Sequence, residues 1–250
     1  MIDRRDTLKY LAGAAVFAAS SAIASEARID KLILPAKAQG GISARIDFIS
    51  RALIGTEYRG YTLIGSLKRP EKFVVRDDAF DCVTFCETVL AAAIAADPAA
   101  FDATLKTIRY RDGIVAWRER NHYFFEWGQH NIENKLCLPI VMNGAVQIEK
   151  TVDSEKGLGR RHFVMQVIPR AVFMDNVALL KAGDIVGFVT HRPNLDYFHV
   201  GFVAFDKGQF MLRHAARSRG RVLDERMSRF VAVNGVHYVT LLRPQERAVV

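Results

Sequence analysis

The chain has 250 residues, half of them apolar and a quarter charged, with a formal net charge of +8. That basic balance suits an anionic polymer. No long Lys/Arg run, zinc-finger spacing or RNA-binding aromatic signature accompanies it, which argues against nucleic acid as a partner.

Residues 1–24 read as a secretory signal peptide. Arg4, Arg5 and Lys9 precede an uncharged run of small and apolar residues, and Ala22-Ile23-Ala24 is a small-x-small cleavage signal. The run is too short and small-residue-rich for a membrane span, and no cysteine follows it to carry a lipid. Asp3-Arg4-Arg5-Asp6-Thr7-Leu8-Lys9 further resembles a twin-arginine export motif, with Thr7 standing where an apolar residue is usual. The expected location is therefore periplasmic or secreted, with no membrane span once the signal is removed. Loss of the leader removes three basic and two acidic side chains and leaves the mature chain basic at +7. No repeat or hinge divides residues 25–250, which are expected to form a single domain.

Helical spacing covers residues 43–53, with Ile46, Ile49 and Leu53 on one face and Gly55 after the end. Residues 73–76 read as a short extended piece leading to Asp81, a good N-cap. From Cys82 to Ala96 there is no Gly or Pro, so a helix opening on a cysteine is predicted. A thiol there faces unpaired N–H groups and the positive end of the helix dipole, which favour thiolate. The same residues also read as a core helix opening on a small buried hydrophobe. Cys86 lies four residues on, a spacing that suits a disulfide poorly; Cys137 pairs with Cys86 or with neither.

Another helix is predicted over residues 101–108, and a helix-like stretch rich in Arg and aromatics over 114–127. Residues 143–159 are the most irregular, marked by Asn143-Gly144 and Gly157-Leu158-Gly159. Short strands follow at 185–189, 199–205, 209–215 and 236–243, with Asp206-Lys207-Gly208 as a hairpin turn. Helices first and an antiparallel meander last indicate an α+β fold.

His199 begins one strand of that hairpin and His214 lies near the end of the next, so their imidazoles can meet. If the Cys82 helix packs on this sheet, thiol, base and orienting residue follow in order, the logic of an activated nucleophile. Arg120 and His122, with Arg118, Tyr123 and Trp127 nearby, could hold a carboxylate and stack on a sugar, or form an ordinary salt-bridged helix. Seven histidines occur without a His-Glu-x-x-His motif, and His122 and His130 stand eight apart, so no catalytic metal is expected.

Asp81-Cys82 opening a helix, Gly183-Asp184-Ile185 opening a strand, His199-Val200-Gly201-Phe202 and His214-Ala215 together resemble the NlpC-type papain-like cysteine hydrolases of bacterial cell walls. The resemblance implies a papain-like fold with Cys82 as nucleophile, His199 as base and His214 as orienting residue. A closer resemblance covers nearly all of the mature chain. It rests on Gly55-Thr56-x-Tyr58, Thr62-Leu63, residues 80–90, Arg109-Tyr110-Arg111-Asp112-Gly113, Arg118-x-Arg120-Asn121-His122-Tyr123, Trp127 and Asn131. These residues are similar to the secreted N-acetylmuramoyl-L-alanine amidase-like branch, first filed as a domain of unknown function. Departures are Cys86 for a usual Val, Glu57 for Pro and Ala216 for Ser; the last touches substrate preference.

What the resemblance implies is a cofactor-free peptidoglycan or muropeptide amidase that cuts between N-acetylmuramic acid and L-Ala. Tyr58, Asp81, Arg120, His122, Tyr123 and Asn131 would bind substrate. Rival readings are a D-Glu–diaminopimelate endopeptidase with the same machinery, a non-catalytic wall-binding protein, and a redox protein using Cys82 and Cys86, which lack Cys-x-x-Cys spacing.

Overall fold

The computed structural model describes residues 29–153 and 157–246, so the expected leader lies outside the described residues. Helices α1 (Asp30–Lys37) and α2 (Ile42–Ala52) come first, then four short strands, β1 (Glu57–Tyr58), β2 (Ile64–Ser66), β3 (Arg69–Lys72) and β4 (Ala79–Phe80). The helices α3 (Cys82–Ile94), α4 (Phe101–Arg109) and α5 (Phe124–Glu133) follow. Beyond them come β5 (Cys137–Pro139), β6 (Val146–Val152), β7 (Arg161–Pro169) and α6 (Arg170–Asp175). Strands β8 (Ile185–Val189), β9 (Tyr197–Asp206), β10 (Gln209–Ala216) and β11 (Arg221–Arg226), helix α7 (Met227–Val233) and β12 (Tyr238–Pro244) complete the order. Among the described residues no helix is long and apolar enough to cross a membrane.

The result is a mixed α+β molecule built on one large curled sheet, ordered β4-β1-β11-β10-β9-β8-β12-β7-β6, with β5 on β12. Every pairing in it is antiparallel except β1 with β4. The turn between β9 and β10 has Lys207 at φ 49° and Gly208 at φ 77°, the pair of positive values that matches strand twist in a two-residue hairpin. One edge of β12 is shared: β7 pairs with Tyr238 and Val239, and β5 with its last three residues.

Both faces of the sheet are covered. On one, α3 packs with α1, α2 and α4 over β9 and β10, where Phe85 meets Phe202 edge to face at 5.7 Å. On the other, α6 and α7 place Phe173 and Phe230 against Phe188, Val203 and Leu212. Helix α3 is buried from Thr84 to Ile94 on all sides, which its Ala-rich, uncharged sequence permits apart from Glu87. Glu87 is matched by Arg109 of α4 at 2.7 Å, and Arg109 also donates to the Val74 carbonyl at 2.6 Å. Arg213, fully buried on β10, donates to Asp224 on β11 and to Asp47 and Ser50 on α2. The buried ionic cross-links thus run between elements.

The helix expected over 114–127 begins only at Phe124. Tyr110 and Arg120 form an antiparallel bridge, and Asn121 N–H donates to the Arg109 carbonyl, so the chain doubles back there and holds just a 3₁₀ turn at Trp117–Glu119. The stretch 143–159 holds strand β6, which pairs with β7 in a register running from Val146↔Val167 to Val152↔Arg161. Residues 73–76 stay unpaired between β3 and β4. Cys86 and Cys137 are buried free thiols.

Removing Arg109 leaves Glu87 as a lone carboxylate in the core. Arg109→Ala is expected to lower unfolding stability by about 3–5 kcal/mol in urea titration; a loss below about 1 kcal/mol would show that the pair contributes little.

Candidate active site

Asp81 holds the start of α3 by a reciprocal cap. Its carboxylate accepts from the Thr84 N–H at 2.8 Å, and the Thr84 hydroxyl oxygen accepts from the Asp81 N–H at 2.9 Å. Such a cap is worth about 1 kcal/mol and fixes where the first helical residue points. That residue is Cys82, half-buried at the floor of a cleft of about 970 Å³. His199, early on β9, lines the same cleft.

His214 reaches His199 because β9 and β10 come very close. Gly201 pairs across from this region, and a Cβ there would sit 2.8 Å from the Arg213 carbonyl oxygen and 3.0 Å from the His214 Cβ, so the strand needs glycine. His199 Nε2 and His214 Nδ1 lie 2.5 Å apart with rings nearly perpendicular, at 87°. Phe230 of α7 packs 5.4 Å from each ring, and Phe188 stacks on His199 at 6.3 Å. Beyond them Glu225 Oε2 stands 3.6 Å from His214 Nε2.

This apolar packing sets the charge state. Burial pushes the Cys82 thiol up to about 12, with the Asp81 carboxylate adding to the rise, while the N–H groups of Val200, Cys82 and Val83 favour the thiolate. Burial lowers His199 to about 3, with His214 contributing, and lowers His214 to about 4, opposed by Asp224. Both shifts favour the neutral forms, a thiol and an uncharged imidazole lining one cleft. Desolvation thus works against the thiolate that the helix dipole favours. An imidazole whose Nε2 is engaged keeps Nδ1 for exchanging a proton with a thiol. Among the described residues no group of three or more His, Cys, Asp or Glu is arranged to hold a metal.

The other expected residues divide. Tyr58, Asp81, Arg120 and His122 line the cleft. Burial, then the nearby Cys82 and Asp81, raise the Tyr58 phenol, keeping it a neutral donor. Arg120 donates to Glu71 Oε1 at 3.0 Å, and Tyr110 donates to the same oxygen at 2.9 Å, so the pair anchors the β2–β3 hairpin that forms one wall. His122 Nε2 lies 2.6 Å from the Trp117 carbonyl oxygen. Tyr123 and Asn131 are away from the cleft. Tyr123 is buried edge-on against Phe163, and Asn131 donates to the Ile108 and Trp127 carbonyls inside the helical layer. Glu71, Glu225 and the cleft residue Arg217 were not legible as site residues. Glu71 and Glu225 come to the site through contacts between separate segments, and Arg217 by following β10 directly.

The two imidazoles make stability depend on pH. Both are neutral when folded, whereas the unfolded chain protonates them below about 6.5, so they favour unfolding as pH falls from that value toward 4 and 3. The expected loss is about 2 kcal/mol per histidine at pH 5. Urea titrations at pH 7 and 5 should show a steeper decline for the wild type than for His214→Gln; parallel declines would contradict neutral burial.

The family model described as "AmiA-like: N-acetylmuramoyl-L-alanine amidase-like" matches residues 48–236. Among solved structures, a protein of Legionella pneumophila str. Philadelphia 1 superposes with a TM-score of 0.77 at 21% identity, covering 92% of this chain and 97% of that one. An N-acetylmuramoyl-L-alanine amidase from Bacteroides uniformis gives 0.69 at 22% identity over 79% and 97% of the two chains. A putative xylanase from Bacteroides fragilis gives 0.65 at 24% over 78% and 98%. No curated protein sequence matches the chain. With three quarters of its length matched by one family model, the chain belongs to the N-acetylmuramoyl-L-alanine amidase-like family.

Proposed function

We propose that the protein is an exported, cysteine-dependent N-acetylmuramoyl-L-alanine amidase with a papain-like arrangement of its site, acting on peptidoglycan or its fragments. Membership of the amidase-like family supports a cell-wall amide as substrate. The observation that carries the mechanism is the His199–His214 contact in the cleft that also holds Cys82.

In this reading His199 donates its Nε2 proton toward His214 Nδ1, the tautomer that leaves His199 Nδ1 open to accept the thiol proton. His199 Nδ1 takes the thiol proton as Sγ attacks the lactyl carbonyl of muramic acid. The oxyanion forms near the Cys82 N–H at the helix start. The C–N bond breaks as His199 returns the proton to the leaving L-Ala amine, and water, deprotonated by the same nitrogen, hydrolyses the thioester to a carboxylate. Because the resting pair is neutral, proton transfer accompanies attack and no thiolate waits in the free enzyme. Residues 25–250 act as one domain, released in the periplasm or outside the cell by removal of the leader.

A glycosidic bond is the chemistry that one structural relative's name suggests, and it needs two carboxylates free to serve as acid and base. The cleft's Asp81 is spent on the helix cap and Glu87 on Arg109, which favours the amide.

Mass spectrometry of muropeptides incubated with the mature protein and a chelator should show free stem peptide beginning at L-Ala. Cys82→Ala should lower the rate at least about 10³-fold. Disaccharide still carrying L-Ala-D-Glu would move the cut to the endopeptidase bond; equal turnover by Cys82→Ala would refute the cysteine mechanism.

A further inference from the structure

His214 is 2% exposed, its Nδ1 is engaged by His199, and its Nε2 is buried without a hydrogen-bond partner. A polar atom shut away unpaired costs about 1–3 kcal/mol, so its surroundings need an explanation. The carboxylate nearest to it is Glu225, with Oε2 at 3.6 Å.

The placement of Glu225 is built into the sheet. On β11 it pairs with Leu212, while His214 pairs with Leu223, which sets Glu225 and His214 diagonally on one face. Its neighbour Asp224 points to Arg213 and gives both oxygens to that guanidinium, at 2.7 and 2.8 Å. Glu225 is tied more loosely. Its other oxygen is 3.8 Å from Arg229, a side chain two-thirds exposed, and a pair so open to water holds little.

The geometry points to Glu225 as a positioning residue that acts through His214. Its carboxylate faces His214 Nε2 at 3.6 Å and by its charge favours a proton there, the tautomer whose Nδ1 is free to accept from His199. The inference rests on the reading of His199 as the base. In the opposite tautomer His214 Nδ1 carries the proton and faces the N–H of His199, donor against donor, and the base loses its support. When His199 takes the thiol proton, positive charge spreads over the paired rings. A shift of less than 1 Å then brings Glu225 into hydrogen-bond range of the N–H that carries part of it. No proton leaves His214; its Nε2–H tightens onto Oε2 and relaxes again when the leaving amine is protonated.

The test compares Glu225→Ala and Glu225→Gln with the wild type in steady-state muropeptide hydrolysis, with Cys82→Ala alongside, and records ¹⁵N chemical shifts of the histidine rings at pH 7 without substrate. Glu225→Ala is expected to lower kcat about 10–100-fold with KM within twofold. Glu225→Gln, which keeps an acceptor oxygen, is expected to recover most of the rate. His214 should carry its proton on Nε2 in the wild type and in Glu225→Gln, and populate the Nδ1–H form in Glu225→Ala. Unchanged His214 shifts in Glu225→Ala would overturn the inference, as would a fall in activity confined to KM. Because the shifts need no turnover, they decide the role of Glu225 even if the wild type proves inactive or Cys82→Ala proves active, results that would instead sink the cysteine mechanism.

Discussion

Helix α3 has no face left for water, and that constraint locates everything else. With residues from Thr84 to Ile94 buried, α1, α2, α4 and the sheet must close round it. Its N-terminus can then emerge only where the enclosure ends, at the cleft. The reciprocal Asp81–Thr84 cap fixes the first turn there, and the buried Glu87–Arg109 pair locks the helix to α4. Leu, Phe and Ala contacts supply most of the burial free energy. The ionic pairs instead select one arrangement, since a misplaced α3 would strand a charge.

The same enclosure governs the chemistry. Phe188 and Phe230 dry the two imidazoles, and desolvation opposes the helix dipole at Cys82. A neutral pair costs the fold less than a buried thiolate–imidazolium pair, and in the proposed mechanism charge appears only as the amide is attacked. The cleft has one wall built from the β2–β3 hairpin, a two-stranded unit outside the main sheet, held at Glu71 by Arg120 and Tyr110. Arg120, expected to grip substrate, thus also keeps the wall in place.

What could be read from the sequence was local. The Asp81 cap and Cys82 helix depend on four consecutive residues, and the His199–His214 meeting depends on a hairpin closed by Lys207 and Gly208. The α+β order and the family followed from these and from the motifs between them. The unread features were non-local. Strand β6 is largely exposed and carries Glu149 and Lys150, so its pattern looked like a loop until β7 paired with it. Glu225 meets His214 only through the β10–β11 register. Tyr123 and Asn131 were expected at the site from the family resemblance alone, and neither lines the cleft. Once α5 begins at Phe124, Trp127 and Asn131 fall four apart on its inner face, and Asn131 satisfies carbonyls there.

The central claim is that Cys82 becomes covalently attached to the muramoyl carbonyl. Rapid-quench intact-mass analysis, followed by peptide mapping, measures this directly. The account predicts a transient mass increase equal to the glycan acyl group on the peptide holding Cys82, with fragment ions placing it on Cys82 and not on Cys86. Stem peptide released at full rate with no adduct, or an adduct on any other residue, would contradict it.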